Sequence, residues 1–457
     1  MSKNAVSIIT FLILLVIFVG AFSSSYTSHN MSNLAYVLAI GIDVGENAKM
    51  KVSAQFTKSS SFSPNAGSSD EDSTMVSAEA DSIYNGLTVL NSYIGKEINL
   101  SHCSVVVFSE EFAKNGISSQ IYSLLNNEEF RPTTNLVIST CDAFDYLSNV
   151  KPNLEKITTN YYDTFSITNK FTGYFSDISV GEFFNTLSED YCDGTAILGG
   201  LDKTARKEEE KESSGSNNSS DSSDNSNSDS SSDSSNKSSS SSETSDNMSN
   251  LDSSNSGENI VTDPKELVAG LSSIQGKRGS ENIGLAVFDE DKMCGKLTAL
   301  ETICHLLIQN NVDSCIVSID NPFPENGEKK IGLNITPSKK SKIDVKIEDG
   351  IPHIFIKISV NSSILTLETN MNYQNQEVLN SFSNSAEEYF KKEFNNYFNK
   401  ISKKYGTDID CFGIKALSNF STQQEWKDFN WHEKFKSAKF DIDINVDVVS
   451  SHLLNKT

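Results

Sequence analysis

The sequence predicts an α+β (mixed α/β) protein: a multi-domain exported body of mixed sheets packed with helices, on an N-terminal membrane helix. Three observations carry this. An uncharged apolar run fills Ala5 to Phe22. Strand patterns alternate with helical ones up to residue 202. A stretch of Ser, Asn and Asp then divides the chain, and both periodicities resume beyond it. The expected organisation is an anchor or signal segment over 1–30, an α/β domain over 31–202, a disordered linker over 203–262 and an α+β domain over 263–457.

The apolar run, as a helix, spans ~27 Å, just enough for a bilayer. It reads as an uncleaved anchor. Cleavage after Val19-Gly20-Ala21 and a buried helix are the alternatives. A lone Lys3 before it fits an extracytoplasmic body.

Leu34–Asp43 and Met50–Thr57 read as neighbouring strands, followed by a polar loop over Ser59–Thr74. Ala78 to Ile94 has helical spacing, with Ala80, Ile83, Tyr84, Leu87, Leu90 and Ile94 on one face. Cys103–Phe108 is a buried strand, and Ser109 is the candidate N-cap of the helix that follows. A helix through Ile121–Leu125, a strand at Leu136–Thr140 and a helix over Asp142–Val150 come next. Asp163–Asp190 is helical in pieces.

Beyond the linker, Ile283–Asp291 is a strand and turn, and Leu297–Ile308 is a helix. Strands follow at Cys315–Ile319, Ile331–Thr336, Ile343–Ile347 and Ile354–Leu365. Val378 to Tyr405 holds an aromatic stripe over about seven turns, with Glu387, Lys391, Glu393 and Lys403 opposite and Gly406 ending it. In the last strand, Phe440–Val448, one face is core and the other an Asp column of Asp441, Asp443 and Asp447.

The 457 residues carry a formal charge of −23, which excludes a nucleic-acid binder and a basic arm lying on anionic lipid. An apolar fraction of 37% and a mean hydropathy of −0.35 exclude a polytopic membrane protein. From Lys203 to Glu258, 5 Lys/Arg stand against 12 Asp/Glu, with no aromatic residue. Burial there cannot repay ordering entropy.

No Walker loop, G-x-G-x-x-G, H-E-x-x-H or G-x-S-x-G occurs. Ser101-His102 pairs two catalytic residue types, but neighbours in sequence rarely reach each other as nucleophile and base. The Asp column would let one calcium ion bridge two side chains at most, and reads as a solvated face. Trp426 and Trp431, the two tryptophans, read as core anchors, with an interface patch as the alternative. The seven cysteines (Cys103, Cys141, Cys192, Cys294, Cys304, Cys315, Cys411) lack a C-x2-C pair and read as buried small hydrophobes. One disulfide among Cys294, Cys304 and Cys315 is compatible with the count. No catalytic, cofactor-binding or metal residue is expected, and the chain reads as a binding or assembly module and not an enzyme.

Several stretches together resemble the C subunit of spore germinant receptors, the GerAC family. They are Leu34–Asp43, the helix around Gly86 to Leu90, Leu100-Ser101-His102, Val105–Ala113, Glu129-Phe-Arg131, Ala196–Gly200, Gly284–Phe288 with Lys292, Gly295 and Leu297, and Glu301-Thr302. Asp408-Ile-Asp410 with Phe412-Gly413, then Trp426-Lys427, Trp431 and Phe435, resemble the closing pattern. The resemblance implies a three-domain mixed α/β fold, so the C-terminal half itself divides into subdomains. It implies a non-catalytic accessory subunit on the outer face of the spore inner membrane, with a polytopic A subunit and a transporter-like B subunit as partners. The alternatives are an extracellular solute-binding or cell-wall-associated module and, less favoured, a wall hydrolase using two carboxylates.

The family is normally a lipoprotein, and here Ala21 stands where the acylated cysteine would be. Metabolic labelling with palmitate is therefore expected to leave this protein unlabelled. A labelled band would overturn the helix-anchor reading.

Overall fold

The computed structural model describes residues 11–15, 18, 33–57, 73–151, 158–202, 263–272, 274, 279–326, 329–365 and 375–449. Of the expected anchor, residues 11–15 and 18 are helical, and the rest lies outside the described residues. Among the described residues no helix is long and apolar enough to cross a membrane. The expected linker, 203–262, also lies outside the described residues.

The chain opens with strands β1 (Leu34–Val44), β2 (Met50–Thr57) and β3 (Ser73–Ala80), then helix α1 (Ile83–Ile94). The helix starts later than its periodicity suggested. Val76, Ala78 and Ala80 also satisfy a two-residue period, and β3 pairs antiparallel with β2. Ser82 then caps α1, accepting the Asn85 N–H at 3.2 Å. Next come β4 (Glu97–Asn99), β5 (Val105–Ser109), α2 (Glu110–Lys114), α3 (Ser118–Leu125), β6 (Asn135–Ser139) and α4 (Ala143–Ser148). α5 (Thr158–Asp163), α6 (Phe165–Thr172), α7 (Val180–Leu187) and β7 (Thr195–Leu201) complete this half.

The first sheet does not stop there. Its order is β3-β2-β1-β5-β6-β7-β8-β9, with β4 also on β1, and β8 (Ser280–Asp289) and β9 (Lys292–Leu297) come from beyond residue 263. β1, β5, β6 and β7 run parallel, while β7, β8 and β9 are antiparallel neighbours. A division at residue 263 therefore cuts through one sheet.

Alternation sends Val106, Phe108 and Leu198 to a core under α1, α2, α3 and α7. Val105, Val107 and Ile197 face a second core under α4, α5 and α6. In β8, Ala286 and Phe288 join the first of these, but Leu285 and Val287 enter a third core.

That third core belongs to α8 (Ala299–Gln309), α9 (Gln376–Phe398) and a sheet ordered β10 (Cys315–Asp320), β11 (Lys330–Glu348), β12 (Ile351–Ile364), β13 (Lys439–Val449). β11 merges the two strands expected at 331–336 and 343–347. Register shifts around Pro337 and Lys339 carry it past a proline that cannot donate to the ladder. After α9 a π-helical turn, Asn399–Tyr405, ends at Gly406, whose φ of 75° suits glycine. Phe382, Phe390, Phe394 and Tyr397 are buried as the stripe predicts. Glu393, expected on the polar face, is buried and paired with Lys265 at 2.6 Å. α10 (Phe412–Ala416), α11 (Gln423–Phe429) and α12 (Trp431–Phe435) close the fold before β13.

Asp43 ties β1 to α4. Its buried carboxylate accepts the N–H groups of Ala143 and Phe144, at 2.6 and 3.2 Å. Burial outweighs those donors and pushes its pKa up to about 6. A carboxyl raised in the folded state contributes stability below its unfolded value near 4, and loses it as pH rises through about 6. Relative to Asp43→Asn, the natural chain is expected to lose on the order of 3 kcal/mol between pH 4 and 7, read by urea denaturation. A pH-independent difference would contradict this.

Candidate functional site

The segment Gly406–Asp410 is buried throughout, although it carries two aspartates. Asp408 is held by three donors: the N–H groups of Phe412 and Gly413 at 3.0 and 2.7 Å, and the Trp431 indole N–H at 2.9 Å. Gly413 is required there. A Cβ would lie 2.8 Å from Trp431 Nε1 and strike the Tyr191 carbonyl. Burial drives the Asp408 carboxyl well above the ordinary range, against those N–H donors.

Asp410 joins two helices. Its Oδ1 lies 2.8 Å from His305 Nδ1 on α8, and its Oδ2 accepts the Tyr397 hydroxyl of α9 at 2.8 Å. Gln309 Nε2 donates to its carbonyl at 2.9 Å.

The strand segment before β7 is clamped onto this core. The Asp193 N–H donates to the Asp408 carbonyl at 3.0 Å, and the Asp408 N–H returns a bond to Asp193 Oδ2 at 2.7 Å. Cys192 and Cys411 form a disulfide across 219 residues. Trp426 Nε1 donates to Asp190 Oδ1 at 2.9 Å. Cys294, Cys304 and Cys315 are unbridged, so the disulfide that the count allowed among them does not form, and the Cys192–Cys411 bridge corrects the reading of those two as free buried cysteines. Spatial adjacency across that separation leaves no mark in local spacing.

The clamp separates two clefts. The larger, about 540 Å³, lies between α3, the 186–194 segment and the helices α11 and α12. Tyr122, Trp426 and Trp431 give it aromatic walls, and Glu189, Asp190 and Asp291 give it a negative rim. The two indoles stack with centroids 5.7 Å apart. Both tryptophans are buried, as core anchors should be, and they also line the cleft. A smaller cleft of about 400 Å³ on the other side reaches Asp177, His305 and Asn311.

At the wall of the larger cleft, His432 sits between two carboxylates. Its Nε2 is 3.3 Å from Asp289 Oδ1, and its Nδ1 is 3.9 Å from Asp193 Oδ2. Burial raises the pKa of Asp193, while the Asp408 N–H and His432 pull it back.

The other residues singled out in the sequence stand elsewhere. Ser101 Oγ donates to Asn99 Oδ1, and His102 meets the Tyr36 ring edge-on at 4.9 Å. They form no nucleophile–base pair with each other. Asp441, Asp443 and Asp447 lie along β13, where Asp443 pairs with Lys357 across to β12. Asp193 and Cys192 were missed by sequence reasoning. Asp408 and Asp410 stood out in the sequence as part of the closing pattern, two carboxylates among apolar neighbours, Ile409 and Phe412.

Asp408→Ala would strand three neutral donors, each costing about 1–3 kcal/mol when left unpaired, and is expected to destabilise the full chain in urea denaturation. Asp408→Asn keeps one acceptor oxygen and no charge, so it should cost clearly less. Equal losses would mean that the carboxylate's hydrogen bonds do not hold the clamp.

Residues 27–200 match the family model described as spore germination protein N-terminal domain. Residues 283–452 match the model described as spore germination B3/GerAC like, C-terminal. No curated protein matches significantly. Among solved structures, the crystal structure of the GerBC protein is similar at 12% identity over 90% of this chain and 96% of that one, with a TM-score of 0.49. With both models in order over most of its length, the chain belongs to the GerAC-like family of spore germination proteins.

Proposed function

We propose that this chain is the C subunit of a nutrient germinant receptor, a non-catalytic accessory on the extracytoplasmic face of the spore inner membrane. It acts by contact with a polytopic A subunit and a transporter-like B subunit. The observation that carries the reading is the pair of family matches, which cover both halves in order on either side of 201–282.

The side-chain chemistry of the clamp supports a contact role. Asp408 and Asp410 are buried and each is engaged by hydrogen-bond partners within the clamp. A wall hydrolase of the usual kind needs one carboxyl free to protonate a leaving group and a second facing it. A disulfide between Cys192 and Cys411 suits an oxidising, extracytoplasmic compartment.

Deleting the gene in its spore-former is expected to abolish or strongly slow germination triggered by the receptor's nutrient, with restoration by the reintroduced chain. Germination triggered without nutrients should be unchanged. Normal nutrient germination, in a strain with no second copy of the receptor, would defeat the proposal.

A further inference from the structure

We propose that Asp193, Asp289 and His432 form a binding site for one divalent transition-metal cation of the zinc type. It would join the first sheet to the last helical segment. The inference is independent of the receptor reading above.

Register brings the carboxylates together. β7 and β8 pair Thr195 with Val287, and the Phe288 N–H continues the ladder by donating to the Gly194 carbonyl at 3.0 Å. One step further places Asp193 opposite Asp289. Like charges directly opposite on an antiparallel pair repel, so the position calls for a cation. The third group is an imidazole. His432 is presented by α12, directly after the buried anchor Trp431.

One ligand atom from each of the three residues lies within 4.8 Å of the others. The 3.3 Å between His432 Nε2 and Asp289 Oδ1 equals the ligand–ligand edge of a tetrahedron with bonds of about 2.0 Å. Asp193 Oδ2 is 3.9 Å from the other ring nitrogen, Nδ1, so the imidazole must turn for one nitrogen to face both carboxylates. Asp193 accepts backbone N–H groups from Asp408 and Glu290, which leaves about two of its four lone-pair sites. Those bonds fix the carboxylate as outer-shell partners fix metal ligands.

One nitrogen with two carboxylate oxygens suits zinc, nickel or cobalt better than calcium or magnesium, which take all-oxygen sets. Asp193 and His432 line the cleft and the Asp289 side chain is exposed, so three protein ligands leave a fourth position facing solvent. The acidic rim at Glu189, Asp190, Glu290 and Asp291 concentrates cations at the mouth. The ligands are 96 residues apart at the nearest, so no spacing motif announces them.

The two tryptophans of the chain both line this cleft and provide the readout. Titrating the full chain in detergent with Ni²⁺ or Co²⁺ should quench their fluorescence saturably, at one equivalent, and Zn²⁺ should compete. Mg²⁺ in excess should not. Asp289→Asn and His432→Gln should each weaken binding by at least about tenfold, while Asp443→Asn on the far sheet should not. Absence of saturable quenching would overturn the proposal. Quenching unaltered by both variants would overturn it equally.

Discussion

β8 has no solvent-facing side, and the arrangement of the rest follows from that. Its residues Ile283 to Phe288 are almost all apolar, so a two-residue period sends apolar side chains both ways. One face, with Ala286 and Phe288, completes the core beneath α1, α2, α3 and α7. The other, with Leu285 and Val287, belongs to the core of α8, α9 and the second sheet. The two halves are therefore built around a common wall. Rotating one against the other would expose a strand that lacks a polar face.

Such a wall fixes position along one line, and the clamp at Asp193 and Asp408 fixes it at a second place. Burying two carboxylates there costs several kcal/mol each unless hydrogen bonds offset it. Asp408 meets three donors and Asp193 two, drawn from backbone, indole and the opposing segment. Apolar residues of similar volume would be cheaper. Directional bonds, however, set one register between 190–194 and 406–413, where apolar contact would allow sliding. The Cys192–Cys411 disulfide constrains the same junction covalently.

Much of this was legible in the sequence, because local periodicity is a local property. The hairpin of β1 and β2, the Ser109 cap, the strand at β6 and the aromatic stripe of α9 follow from spacing alone. Readings failed where two periods coincided, as at Val76–Ala80, or where a proline looked like a break, as at Pro337. They failed more deeply where tertiary partners decide. Glu393 is helical surface by pattern, and its ion-pair partner, Lys265, lies 128 residues away. The disulfide, the sharing of β8 and the convergence on Asp193 share that long-range character. The candidate site was thus visible as fragments, Asp408-Ile-Asp410 and the two tryptophans, but not as a place.

The pairing of Leu201 with Ser280 makes β7 and β8 a hairpin whose connection is roughly 80 residues long. Loop-closure cost rises as about (3/2)RT ln n, so extending a four-residue turn to that length costs about 3 kcal/mol. Each large apolar side chain buried on β8 contributes ~1.5–3 kcal/mol. Leu285, Val287 and Phe288, all fully buried, together outweigh the closure cost. The insertion is thus tolerated at this point, because the strand it delivers is anchored on both faces. It also dilutes the composition: the modest apolar fraction of the chain coexists with three well-filled cores.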